Sequence, residues 1–342
     1  MDFNEFRNRL EQDVGKIISD AYPGSTAVPK EVEKLQGQSY SALSVSVKDS
    51  RLGMSLNMDS LYAQMQGGTD YADILQQAGQ QSLAFLANAP DFDIPNITDY
   101  EAVKPDLYVE VVGTKRNAQM LANVPHTEME DISMVCRIQI KGRSDEEASV
   151  LVTDSLMETL GVEKDRLLAD ALENAPQIRP AMMRGMGSVL GMLGGEEATD
   201  GQLIVVTTED MVKGAAAIFY PGMMDSASSM LKQDFFILPS SVHEVLLLPD
   251  DGVIRATELQ SMVAEINAMA VDPVDQLTDN VYHYDAGERI FETGSRFEER
   301  RAAREAEQEK SASVLDELRN RQKENEMKPR APHKAAAKEA SL

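Results

Sequence analysis

The stretch Leu238-Pro239-Ser240-Ser241-Val242-His243-Glu244 holds the only adjacent His-Glu pair in the sequence, with two serines just before it. Residues of these types can do acyl-transfer chemistry, in which an imidazole takes the proton of a serine hydroxyl and a carboxylate orients the ring. On a regular strand Ser241 and His243 share a face, and Glu244 or a distant carboxylate could orient His243. The glycine-flanked elbow that exposes such a serine is missing. The competing reading is structural: a serine-capped turn beside a hydrogen-bonded histidine, because polar groups next to an apolar core must find partners. Ser240, Ser241, His243 and Glu244 are therefore the first candidates for a site, and a hydrolase using Ser241 and His243 is the alternative to a structural corner.

Other chemistry is poorly supported. His243-Glu244 begins like the zinc pattern His-Glu-x-x-His, but the fifth position is Leu247, and adjacent strand residues point to opposite faces. A three-histidine site would need His126, His243 and His283 to converge. His126 follows Asn123-Val124-Pro125 and is expected to end a helix and cap it; it joins His283 and Ser240 as a binding candidate. The glycines of Gly185-Met186-Gly187-Ser188-Val189-Leu190-Gly191 are misspaced for a dinucleotide loop, and no phosphate-cradling Gly-Lys-Ser/Thr loop occurs. Asp250-Asp251-Gly252 is a turn rather than a calcium loop. No metal and no cofactor is expected. Cys136, the single cysteine, lies in an apolar strand-like run and is expected to be a buried hydrophobe.

The corner must be positioned by the runs around it. Phe235-Phe236-Ile237-Leu238 and Val245-Leu246-Leu247-Leu248 read as two buried strands bounded by Pro239 and Pro249. Upstream, apolar residues from Phe3 to Ile18 recur at helical spacing, so residues 2–21 form an amphipathic helix. A polar connector follows, then a hairpin of Tyr40 to Val47 and Leu52 to Met58 that turns at Asp49-Ser50, and a helix from Thr69 or Asp70 that Pro90 and Pro95 stop. Leu107 to Gly113 reads as a strand, 115–123 as a helix, 129–141 as one long strand and 149–153 as a short one. Helices are expected at 154–160 and 163–174, then a Met- and Gly-rich segment. Leu203 to Thr207 and Ala215 to Tyr220 read as a hairpin that, with the two strands of the corner, makes one mainly antiparallel sheet. Helices at 221–232 and 257–270 and an extended segment at 279–285 complete the body.

The charge narrows the partners. The chain of 342 residues carries −24, yet residues 296–342 hold 12 basic and 10 acidic residues, so the body before them is near −26. Such a body repels nucleic acid and anionic membrane. No run is apolar and long enough to span a bilayer, no N-terminal leader is visible, and a cytoplasmic location is expected. From Arg296 the composition turns to Glu, Arg, Lys, Gln and Ala. This predicts an exposed charged helix held by i,i+4 pairs rather than by packing, followed after Pro329 by a disordered end.

Four stretches together carry a resemblance: Leu121-Ala122-Asn123-Val124-Pro125-His126 with Asp131-Ile132-Ser133-Met134-Val135; Gly214-Ala215-Ala216-Ala217-Ile218-Phe219-Tyr220-Pro221-Gly222; Phe236 to Glu244; and Leu277-Thr278-Asp279-Asn280-Val281-Tyr282-His283-Tyr284-Asp285. The set resembles an uncharacterised bacterial domain-of-unknown-function family, DUF5688, over about residues 1–292. That family implies an intact fold and no particular reaction. The expected architecture is α+β: two packed halves, 1–145 and 146–294, with mainly antiparallel sheets, plus the charged helix and tail of 295–342. The expected function is a non-enzymatic binding protein, with a protein as a possible partner.

Overall fold

Asp2 and Glu5 exchange hydrogen bonds with each other's backbone N–H in a capping box that starts α1 (Phe3–Ala21). In this computed structural model, which describes residues 1–34, 38–46, 53–87, 99–140, 148–192, 203–239 and 241–327, α1 buries Phe6, Leu10, Val14 and Ile18. The expected polar connector is a strand instead, β1 (Thr26–Lys34), paired antiparallel with β2 (Gln38–Ser46). Its charged residues and Pro29 hide it from an alternation test. An edge position tolerates both, because one side of the strand needs no ladder partner. Strand β3 (Gly53–Asn57) completes a three-stranded sheet, and α2 (Met58–Gln66) and α3 (Tyr71–Ala87) close a core confined to residues 6–86.

After α4 (Tyr100–Val103) and a 3₁₀ turn at Lys104–Asp106, strand β4 (Leu107–Gly113) is buried along its whole length. The expected helix at 115–123 shrinks to one turn, α5 (Ala118–Leu121). The expected long strand is two, β5 (His126–Met129) and β6 (Ile132–Ile140), because the chain turns back at Glu130, whose φ is 59°. His126 thus opens a strand and does not cap a helix. Strands β4 and β5 pair with β6, as does β7 (Ala148–Leu151), all antiparallel. Helices α6 (Asp154–Leu160) and α7 (Lys164–Ile178) follow, and α7 runs past its expected end and contains Pro176.

The last sheet has six strands in the order β13-β12-β10-β11-β9-β8, formed by β8 (Ala181–Gly185), β9 (Ile204–Thr208), β10 (Phe235–Leu238), β11 (Val245–Pro249), β12 (Tyr282–Asp285) and β13 (Ile290–Thr293). Every pairing in it is antiparallel. The Met-rich segment supplies β8 and α8 (Met186–Met192). The expected strand at 215–220 is a 3₁₀ helix, Gly214–Phe219. Its buried Ala215, Ala216 and Ala217 are short enough to pack into the main core, and tertiary packing overrides the β-like local pattern. Helix α9 (Met223–Leu231) and α10 (Ala256–Ala270) lie close to their expected places. The result is an α+β protein whose main core joins β4 and β6 to β9, β10, β11 and β12, drawing on residues either side of 142–148. The turn expected at Asp49-Ser50, the stops at Pro90 and Pro95, and the end beyond Pro329 lie outside the described residues.

Helix α11 (Gly294–Met327) is the expected charged helix, but its first turns are not held by i,i+4 pairs alone. Phe297 is buried, lies flat on the His283 ring at 3.6 Å between centroids, and meets Phe236 edge-on. Arg300 donates to Glu292 at 2.7 Å and to Asp285 at 2.8 Å, and Glu298 accepts the N–H of Ala256 at the start of α10. Composition missed this docking because one aromatic and one arginine carry it. Burial pushes the Asp285 carboxyl up, but the Arg300 hydrogen bond, the Glu288 N–H and the nearby arginines outweigh it and leave the group below its ordinary value. A carboxyl depressed in the fold adds stability that is complete above the unfolded value and disappears as acid protonates it. The urea midpoint should therefore hold between about pH 7 and 5 and fall below about pH 4. A decline that begins above pH 5 would contradict this assignment.

Candidate functional site

The corner between β10 and β11 is pinned by its own polar groups. The Ser241 hydroxyl, 6% exposed, donates to Glu244 Oε1 at 3.0 Å and accepts the N–H of His243 at 2.9 Å. The His243 carbonyl accepts from the Gly214 N–H at 2.9 Å and from Thr207 Oγ1 at 2.7 Å, and the Val242 N–H donates to the Asp275 carbonyl at 2.7 Å. His243 is engaged at both ring nitrogens. Nδ1 accepts the backbone N–H of Lys213 at 3.0 Å, and Nε2 lies 3.2 Å from Asp275 Oδ1. A backbone N–H can only donate, so Nδ1 is the bare nitrogen and Nε2 carries the hydrogen toward Asp275. Residues 241–244 belong to no strand, so Ser241 and His243 are not two positions of one regular face. The hydroxyl faces Glu244 and not the ring. Ser240 lies outside the described residues.

Gly214 is required where the loop meets the sheet. A Cβ there would lie 2.4 Å from both Thr207 Oγ1 and the Thr208 backbone nitrogen. The preceding turn is strained: Met211 and Lys213 adopt left-handed φ values of 55° and 50°. That turn points the Lys213 ammonium at Glu110 Oε2, 3.5 Å away, while its N–H holds His243. Glu110 is buried in the middle of β4, and its other oxygen meets Arg137 Nε and the Tyr108 hydroxyl, each at 3.4 Å. Nearby, Arg179 pairs with Asp210 and sits over the Tyr108 ring. Tyr220 is pushed up to about 12 by burial, against the lowering pull of Arg179. These groups form a charge-compensated cage behind the corner. A lone glutamate in an otherwise apolar strand was the sequence signal for it.

On the other side of the 272–280 segment lies a cleft of about 460 Å³, between the turn after β4 and the approach to β12. Asp131 lines it, and its carboxylate accepts from Thr278 Oγ1 at 2.5 Å, from Asn280 Nδ2 at 2.9 Å and from the Tyr282 hydroxyl. Gly113 allows the two walls to meet, since a Cβ on it would fall 2.3 Å from the Leu277 carbonyl oxygen. Arg116 ties the walls together through the Pro273 carbonyl and Gln276. No local pattern marks Asp131, because its partners lie about 150 residues away.

The remaining sequence candidates stand apart. His126 Nδ1 donates to the Val124 carbonyl at 2.8 Å, and its Nε2 is 3.7 Å from Glu128. His283 is 1% exposed, pairs with Asp250 at 3.1 Å and stacks on Phe297. Burial raises the Asp250 carboxyl, but hydrogen bonds from His283 and the Gly252 N–H outweigh it and leave it lowered. Cys136 is fully buried, and burial raises its thiol far above the usual range. Among the described residues no group of three or more His, Cys, Asp or Glu could hold a metal ion, and no helix is long and apolar enough to cross a membrane.

The four stretches singled out in the sequence contact one another in pairs. Asp131 of the first binds Thr278, Asn280 and Tyr282 of the last, and Gly214 and Ala215 of the second bind His243 and Val242 of the third. The family described as "Family of unknown function (DUF5688)" matches residues 3–286, which include all four. No curated protein and no solved structure matches the chain.

Proposed function

The chain belongs to that family of unknown function, DUF5688, and we propose that it acts as a non-enzymatic binding protein, with the cleft beside Asp131 as its ligand site. The observation that carries this reading is the engagement of His243 at both nitrogens, by the Lys213 N–H and by Asp275. A general base needs a free lone pair within reach of the proton it takes, and this ring offers none to Ser241. The volume of the cleft falls in the range of small-molecule sites. A cytoplasmic setting fits the buried, unpaired Cys136, and the acidic body argues for a partner other than nucleic acid.

A fluorophosphonate probe should leave the protein unlabelled, and ester and amide substrates should be turned over no faster by the wild type than by Ser241→Ala. Labelling of the wild type that disappears in Ser241→Ala would replace the binding reading with a hydrolase.

A further inference from the structure

Most polar groups around the cleft are already engaged in holding its walls. Asp131 accepts from Thr278, Asn280 and Tyr282; Thr114 shares a hydrogen bond with Ser133; and Asn280 also accepts from Gln260. Two groups of opposite sign keep capacity. The Lys115 ammonium, on the turn after β4, has no partner among the described residues, and Arg116 beside it adds a second positive charge. On the other wall Asp279 uses one carboxylate oxygen to accept from Asn267 Nδ2 at 2.8 Å and forms no ion pair among the described residues. Both side chains are exposed, so their loss does not disturb a core.

We infer that the cleft takes a small zwitterion, a free amino acid or a short peptide, with its carboxylate at Lys115 and its ammonium at Asp279. The inference rests on the binding reading above and adds the class of ligand. A cation on one wall and an anion on the other select a molecule that carries the complementary pair. A ligand of one sign would leave one wall's charge facing its like or facing nothing. The hydrogen bonds of Asp131 to Thr278, Asn280 and Tyr282 hold the backbone of the wall in place, which lowers the ordering cost of binding.

The full-length protein would be screened by thermal shift against the common amino acids and their glycyl dipeptides. Hits would then be measured by calorimetry beside the N-acetylated and the carboxamide form of each. At least one zwitterion should bind, and blocking either end should weaken it by about tenfold or more. Lys115→Ala should weaken the zwitterion to a similar degree and leave the carboxamide form unaffected. Asp279→Asn should do the same with the N-acetyl form as its insensitive partner. Binding confined to dipeptides assigns a peptide source, and binding of single amino acids a free-metabolite source. Absence of any response up to about 10 mM, or blocked forms that bind as tightly as the parent, would overturn the inference. A non-zwitterionic compound whose binding is lost in Lys115→Ala would also overturn it and leave the binding reading standing, whereas probe labelling at Ser241 would overturn that reading itself.

Discussion

Removing residues 296–342 should lower the melting temperature by at least about 10 °C, while removing residues 309–342 should leave it within about 1 °C of the full chain. The first cut takes away Phe297, whose ring covers His283 and touches Phe236. Loss of a buried aromatic costs about 3–5 kcal/mol. It also takes away Arg300 and leaves Asp285 and Glu292, both buried, facing each other without their shared cation. Breaking a buried pair from one side adds to the loss, because the stranded charge stays out of water. The second cut removes helix beyond the ion pair of Arg304 with Glu288. Equal effects of the two cuts would show that the docking is not where α11 contributes.

Gly214→Ala should destabilise the fold by about 3 kcal/mol or more. The added methyl would sit 2.4 Å from Thr207 Oγ1 and from the Thr208 backbone nitrogen, and the second of these cannot rotate away. Either β9 or the 3₁₀ helix must move, which breaks the Gly214 N–H bond to the His243 carbonyl and loosens the corner. Gly15→Ala is the natural control. A Cβ there meets nothing within 4 Å, and alanine in a helix interior should add about 0.5–1 kcal/mol. Chemical denaturation of the two variants checks both signs at once. A Gly214→Ala protein with wild-type stability would mean that the loop and sheet are not in the close contact described.

How far the sequence revealed this fold depended on whether the cause was local. Strand β4 was legible end to end, because Leu107 to Gly113 is a buried run in which only Glu110 interrupts the apolar pattern. The same was true of α1, whose stripe has helical period. Strand β1 was not legible: Pro29 and four charges break the alternation, and only pairing with β2 makes it a strand. The corner announced itself through Pro239 and the polar cluster after it, but its roles did not. Lys213 reaches Glu110 across about a hundred residues, and Asp131 reaches Tyr282 across 151. Such partners leave no spacing to read. Phe297 and Arg300 were hidden for the opposite reason, as two informative residues inside a long charged composition.

The central claim, that the Ser241–Glu244 corner is part of the scaffold and not a catalytic centre, is tested most directly by the unfolding free energy of His243→Ala. Removing the ring leaves the Lys213 N–H without its acceptor and Asp275 without its partner. A hydrogen-bonded pair lost at a partly buried position costs about 1–3 kcal/mol. The expected result is a fall of that size in the urea-derived stability at pH 7. Stability equal to the wild type would contradict the claim, because a histidine that the fold does not need, beside a serine and two carboxylates, is what a working catalytic base looks like.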